Sequence, residues 1–168
     1  MTSFLLVIGD REALGWILTE SRTAFPAARR AEVANLAPGD EVFLYTTRGA
    51  FKNPTRDRGR VIGAARVAGA VSDLDPPIRF GAREFPWGCD LEIGPVAPFG
   101  HGVEIAPLVG RLEAFSSLGT SWSIRLRRPL VPLSPADAAT IREELDRVPL
   151  ASTTERLAPY TRWYDTRG

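Results

Sequence analysis

Cysteine, histidine and lysine each occur once in the 168 residues, as Cys89, His101 and Lys52. A single thiol cannot form an internal disulfide, and one Cys with one His falls short of the ligand set a zinc site needs, so neither a metal nor a cofactor is expected. The same scarcity fits a reducing compartment, and the expected location is cytoplasmic. Long hydrophobic runs are also missing. The first apolar stretch, Phe4 to Ile8, is far too short to cross a bilayer and has no basic leader before it, so neither a membrane span nor a signal peptide is expected. Charge of one sign is not in excess: 21 basic against 20 acidic residues leave a net charge of +1. That excludes a strongly basic coat, and any contact with nucleic acid must come from a local patch. The basic residues are otherwise all arginine, which suits forked phosphate recognition but is explained more simply by a GC-rich coding bias. No repeat, heptad run or low-complexity tract is present.

What the chain does have is enough apolar material, 44% of residues, to bury one substantial core. The expectation is a single domain over residues 1–150 with a tail over 151–168. Phe4 to Ile8 reads as a buried strand, closed by Gly9-Asp10. Asp10 can then cap a helix carrying Leu14, Ile17 and Leu18. Residues 27–36 favour a second short helix ending at Pro38-Gly39. Ser72 to Phe85, with Asp73, Asp75, Pro76-Pro77 and Gly81, reads as a surface excursion. Trp87 to Val96 resumes strand-like alternation. A short helix over 107–112 is followed by a strand over 121–133, with Ile124 and Leu126 on one face, Arg125 and Arg127 on the other, and Pro129 and Pro132 marking a sheet edge. The clearest element is the C-terminal helix over 135–148: Ser134 as N-cap, Pro135 at the first position, Asp137 placed to close a capping box, and Ala138, Ile141, Leu145 and Val148 along one face. In the tail, Tyr160, Trp163 and Tyr164 offer aromatics that either hang loose or pack back.

The most informative stretch is 38–67. Glu41 to Thr47 and Val61 to Val71 are two strand-like runs that predict an antiparallel hairpin. The connection between them holds Arg48, Lys52, Arg56, Arg58 and Arg60 against one acid, Asp57, a local excess of about four positive charges for backbone phosphates.

Taken in order, the strand FLLVI, the stretch ESRTAFPAARR, the PGDEVFLYTT turn and strand, the returning RVIGAARVAG, the FPWGCDLEI segment and the closing WSIRLRRPLVPLSPADAATI resemble the EVE family of the PUA-like superfamily, whose relatives include YTH and ASCH domains. The resemblance spans about residues 3–148. It implies a mixed α/β (α+β) fold, a small PUA-like β-barrel flanked by short helices. It also implies a noncatalytic activity: holding an unpaired or flipped base, often a modified one, in an aromatic-walled pocket of DNA- or RNA-binding proteins. The chain departs from the family at Thr23, where an Asn is usual, and in lacking the Lys-Ser-Glu-Pro stretch after the first strand.

A pocket of that kind must return the unstacking energy of a base, a few kcal/mol, through ring stacking and polar contacts to the base edge. Candidate walls are Trp87, Trp122, Phe25, Tyr45 and Phe51. Candidate edge readers are Thr46 and Thr47 at the end of the first hairpin strand, Ser21 and Thr23 near Phe25, Asn53 in the basic loop, and Ser121 and Ser123 beside Trp122. Candidate phosphate contacts are Arg22, Arg48, Lys52, Arg56 and Arg58. Each has a plainer reading: aromatics in a protein of this size are mostly core, and Arg22 could simply pair with Glu20 or Asp40 on the surface. His101, between two glycines, reads as an exposed turn with no nucleophile to serve. The alternative from another class is an ASCH-like enzyme acting on a modified nucleoside or on RNA, for which Lys52 with Glu41 or Tyr45 is the one pair that can be assembled. A third is an interaction domain without a working pocket.

Overall fold

A computed structural model of the chain describes residues 1–26, 31–53, 55–150 and 154–165. The first strand, β1 (Ser3–Ile8), lies inside the sheet, which is why its sequence is an unbroken apolar run. Phe4, Leu6 and Ile8 enter one core and Leu5 the other, as the period-2 alternation of a strand requires. The Asp10 carboxylate then accepts the Glu12 and Ala13 amides at 2.7 and 3.1 Å, capping α1 (Arg11–Glu20). Ser21, in the left-handed region at φ 53°, closes that helix and turns the chain into β2 (Arg22–Phe25). Of the helix expected over 27–36, α2 (Ala31–Ala34) is present, and residues 27–30 lie outside the described ones.

The hairpin is formed as expected: β3 (Glu41–Thr46) runs parallel to β1 and antiparallel to β4 (Arg60–Val67), with a register shift between Leu44 and Tyr45. Beyond it come β5 (Ser72–Phe80), β6 (Arg83–Val96), β7 (Val103–Glu104), a 3₁₀ turn at Ala106–Leu108, α3 (Glu113–Ser116), a 3₁₀ segment at Gly119–Arg127, β8 (Leu130–Leu133), α4 (Pro135–Asp146) and α5 (Thr154–Asp165). The sheet runs β2-β6-β4-β3-β1-β8, with β5 also pairing β6 and β7 pairing β4. The result is a mixed α/β fold, a curled half-barrel flanked by short helices.

Several segments differ from the sequence-based expectation, among them the short helix expected over 107–112, which is a single 3₁₀ turn at Ala106–Leu108. Ser72 to Phe85 is not an excursion but a hairpin, β5 and β6 joined at Gly81 (φ 62°). Its prolines are accommodated because the ladder skips from Asp73 to Ile78, so neither Pro76 nor Pro77 has to donate an amide. The strand expected over 121–133 shrinks to β8, whose partner is β1. Residues 119–127 wind instead as a 3₁₀ segment, and its three-residue period puts Trp122 and Arg125, both half-buried, on one side. The last correction is Asp137. Ser134 does cap α4, its hydroxyl accepting the Asp137 amide at 3.1 Å. The Asp137 carboxylate, however, accepts the Glu113 and Ala114 amides at 2.7 and 2.9 Å, capping α3 across the fold.

Two cores result. One lies between the sheet and α1, with Trp16, Phe25 and Phe80; the other lies under α3 and α4, with Phe43, Phe115 and Ile141. The tail aromatics pack back. Tyr160 on α5 is buried and donates its hydroxyl to the Ala97 carbonyl at 2.8 Å. Gly15 on α1 lets α5 approach, since a Cβ there would stand 2.6 Å from Tyr164 Cβ.

Candidate nucleic-acid interface

Two clefts open on either side of Thr47, one of them beside the basic loop. The larger, about 670 Å³, lies between the end of β3, the loop that follows it and the 3₁₀ segment. Tyr45 and Trp122 contribute its rings, and Arg48, Arg56, Arg58 and Arg127 its positive charge, against Asp57 and Glu104. The smaller, about 430 Å³, lies where β1 ends and β2 runs past it. Ile8, Ala24, Phe25, Pro26 and Phe85 make its apolar wall, with Thr23, Asp10 and Arg83 among its polar groups. Both volumes are in the range of small-molecule sites. Thr47, Leu126 and Arg127 line both clefts, so the two share one wall.

Strand alternation decides which loop-proximal side chains reach these clefts. Tyr45 and Thr47 point to the larger cleft, whereas Thr46 between them is buried on the opposite face, its hydroxyl 3.4 Å from the Arg60 carbonyl, and lines neither. Tyr45 is 3% exposed, so it forms a floor and not a free stacking face. Burial pushes its pKa up to about 12, with the nearby Arg48 charge pulling the other way, so its hydroxyl stays a neutral donor. Gly59 sits so tightly over it that a Cβ would fall 2.6 Å from Tyr45 Cζ. Trp122 is half-buried, held edge-on by Phe115 with ring centroids 5.8 Å apart, and Ser123 follows it into the cleft.

Other candidates fall elsewhere. Phe25 is fully buried and backs the smaller cleft together with buried Thr23. Trp87, opposite Phe25 and Asp73 in the sheet, lines neither cleft, so Trp87, Trp122 and Phe25 do not converge on one pocket. Ser21 is exposed at the far end of β2, where its carbonyl accepts the Leu91 amide. Ser121 and Asn53 are exposed and outside both clefts. Arg22 pairs with Asp90 at 3.4 Å and lies 5.9 Å over the Trp16 ring, so its partner is neither of the two acids expected. Lys52, at φ 61°, is exposed and lines neither cleft. Glu41, its supposed partner, is engaged at the other end of β3 by Arg142 at 2.6 Å and by the Ser3 hydroxyl at 3.1 Å.

Of the loop arginines, Arg58 and Arg60 both approach Glu104, at 3.5 and 3.7 Å. Arg48, Arg56 and Arg127 have no carboxylate within ion-pair distance among the described residues. Phe51 turns away from the clefts into a ring cluster with Phe99, Tyr160 and Trp163, at centroid separations of 5.0, 6.5 and 5.5 Å. Arg11 and Arg162 lie over the Trp163 ring, at 4.8 and 4.1 Å. Sequence reasoning missed Phe85, Arg83 and the Arg127-Arg128 pair as cleft residues. The paired arginines ahead of Pro129 were the visible signal, hidden by reading that segment as a strand.

No protein-family model and no curated protein matches the chain. Solved structures do match. A hypothetical protein from Leishmania major superposes with a TM-score of 0.56 at 14% identity, covering 87% of this chain and 95% of that one. Human THYN1 in complex with DNA containing 5-methylcytosine gives 0.57 at 10% identity, covering 89% and 100%. The Mmi1 YTH domain in complex with RNA gives 0.56 at 8%, covering 86% and 77%. Two of these folds were solved on nucleic acid. At such identities the likeness is one of fold: the chain shares its fold with THYN1 and with the Mmi1 YTH domain.

Among the described residues, no helix is long and apolar enough to cross a membrane, and no group of three His, Cys, Asp or Glu side chains could hold a metal ion. Burial pushes the Cys89 thiol up to about 11, with Asp90 adding to the effect, so the thiol is a poor nucleophile. His101 is exposed in its glycine turn.

Proposed function

We propose that this chain is a noncatalytic nucleic-acid-binding module of the EVE kind that holds an unpaired or flipped base, with modified bases as its favoured targets, against aromatic side chains beside a basic loop. The observation that carries this reading is the larger cleft. It combines the Trp122 ring, the neutral Tyr45 hydroxyl and the hydroxyls of Thr47 and Ser123 with Arg48, Arg56 and Arg127, none of them neutralised by a described carboxylate. Rings suit the π-face of a base, hydroxyls suit its edge, and unpaired guanidinium groups suit phosphate. The fold shared with THYN1 on 5-methylcytosine DNA and with a YTH domain on RNA supports the same reading. A catalytic role has less to stand on, since Glu41 is committed to Arg142 and Lys52 lies outside both clefts.

The test is a panel of labelled DNA and RNA oligonucleotides, with and without modified bases, read by fluorescence anisotropy. Affinity is expected to differ across the panel. Trp122→Ala should weaken the best ligand by about tenfold or more, since stacking contributes on the order of 1 to 3 kcal/mol per base. Equal affinity for every oligonucleotide, unchanged by Trp122→Ala, would overturn the base-reading claim.

A further inference from the structure

Resting on that reading, we infer that the two clefts act together and take two successive unstacked nucleotides of a single strand, with the phosphate between them at Arg127. The clefts are adjoining rooms: Thr47 from the end of β3 and Leu126-Arg127 from the end of the 3₁₀ segment form the wall between them. Each room has apolar surface of its own. The larger offers the half-buried Trp122 ring and Leu126; the smaller offers the half-buried Phe85 ring, Pro26 and Leu126. A single nucleotide with its base in the smaller cleft and its phosphate in the larger would leave the Trp122 ring facing a charged group, which gains nothing from a ring face. Two bases, one in each room, use both Trp122 and Phe85.

Charge follows the same division. Arg48 and Arg56 belong to the larger cleft alone, Arg83 and Arg128 to the smaller alone, and Arg127 to both. The guanidinium on the shared wall stands where the linkage between two adjacent nucleotides must cross. A duplex cannot present this ligand readily. Flipping extrudes one nucleotide and leaves its neighbours stacked, so filling two adjoining rooms from a duplex means unstacking twice. A single strand has both bases available from the start.

The experiment measures binding of the full chain to 5′-phosphorylated mononucleotides, to dinucleotides, to single-stranded DNA and RNA oligonucleotides, and to a duplex with one mismatched base. Dinucleotides are expected to bind at least tenfold more tightly than mononucleotides, and single strands at least tenfold more tightly than the mismatched duplex. Phe85→Ala and Trp122→Ala, each checked for native circular dichroism, should abolish the dinucleotide advantage. Arg127→Ala should weaken single-strand binding and lower the magnitude of its salt slope by about 1. Mononucleotides binding as well as dinucleotides, or the mismatched duplex as well as the single strand, would overturn this inference and leave base reading intact. Absence of binding to every nucleic acid at low salt would instead remove the base-reading claim, and the two-nucleotide inference with it.

Discussion

Tyr45 shows how one side chain can serve both the core and the site. Its ring is packed among Phe43, Val61 and Val103, and its hydroxyl reaches the floor of the larger cleft. Because the folded protein keeps this phenol neutral up to about pH 12 while the unfolded chain ionises it near 10, stability that is fully present below pH 10 is lost as the pH climbs from 10 to 12. The loss attributable to Tyr45 is about 3 kcal/mol. Cys89 adds a similar alkaline loss between pH 9 and 11. Urea unfolding at pH 9, 10 and 11 should therefore show falling midpoints, and Tyr45→Phe should shallow the fall above pH 10. A parallel slope in the variant would mean that the phenol titrates normally.

The capping residues carry the clearest energetics among the elements. Ser134 serves its own helix, and the sequence announces it: Ser, then Pro, then a helical apolar face. Asp137 has the same appearance but serves α3, through two short bonds to amides more than twenty residues earlier. It is 1% exposed. Asp137→Ala should therefore cost more than Ser134→Ala, about 2 against about 1 kcal/mol in chemical denaturation, because it takes the buried acceptor from two amides of another element at once. Equal losses would show that α3 finds other partners. The hairpin of β3 and β4 and the helix α4 were legible in sequence because turn chemistry and apolar period agreed there. The pair β5 and β6 was not, because Pro76 and Pro77 signal a loop unless the ladder bypasses them, and a bypass is a property of the partner strand.

At the scale of the molecule, a net charge of +1 gives the surface at large no attraction for phosphate, so the proposed contact depends on a local patch. With about four phosphate contacts, log affinity for a single strand should fall against log salt with a slope of about −3. A slope near zero would separate binding from the arginines. The tail belongs to the same architecture: α5 lies on α1 at Gly15, and its Tyr160 and Trp163 rings reach Phe51 in the basic loop. Gly15→Ala should favour the isolated helix by up to about 1 kcal/mol, yet the added methyl meets the Tyr164 Cβ, which cannot swing aside. The expected outcome is faster limited proteolysis within residues 154–165 with the rest of the chain still folded; unchanged protection would mean that the helix pair adjusts without cost.

Composition and apolar period alone determined the strand β1, the hairpin and the cap at Ser134, because each depends on residues close together in the chain, while the mixed α/β class came with the resemblance in the order of those elements. They also placed positive charge in the loop after β3. Tertiary structure decided which rings meet which arginines. Trp87 and Trp122 look alike in sequence, each flanked by small or turn-forming residues, and only the pairing of β6 with β2 and the winding of residues 119–127 set one in the sheet and the other on a cleft. Distances between segments far apart in the chain are fixed by packing, and no local pattern carries them.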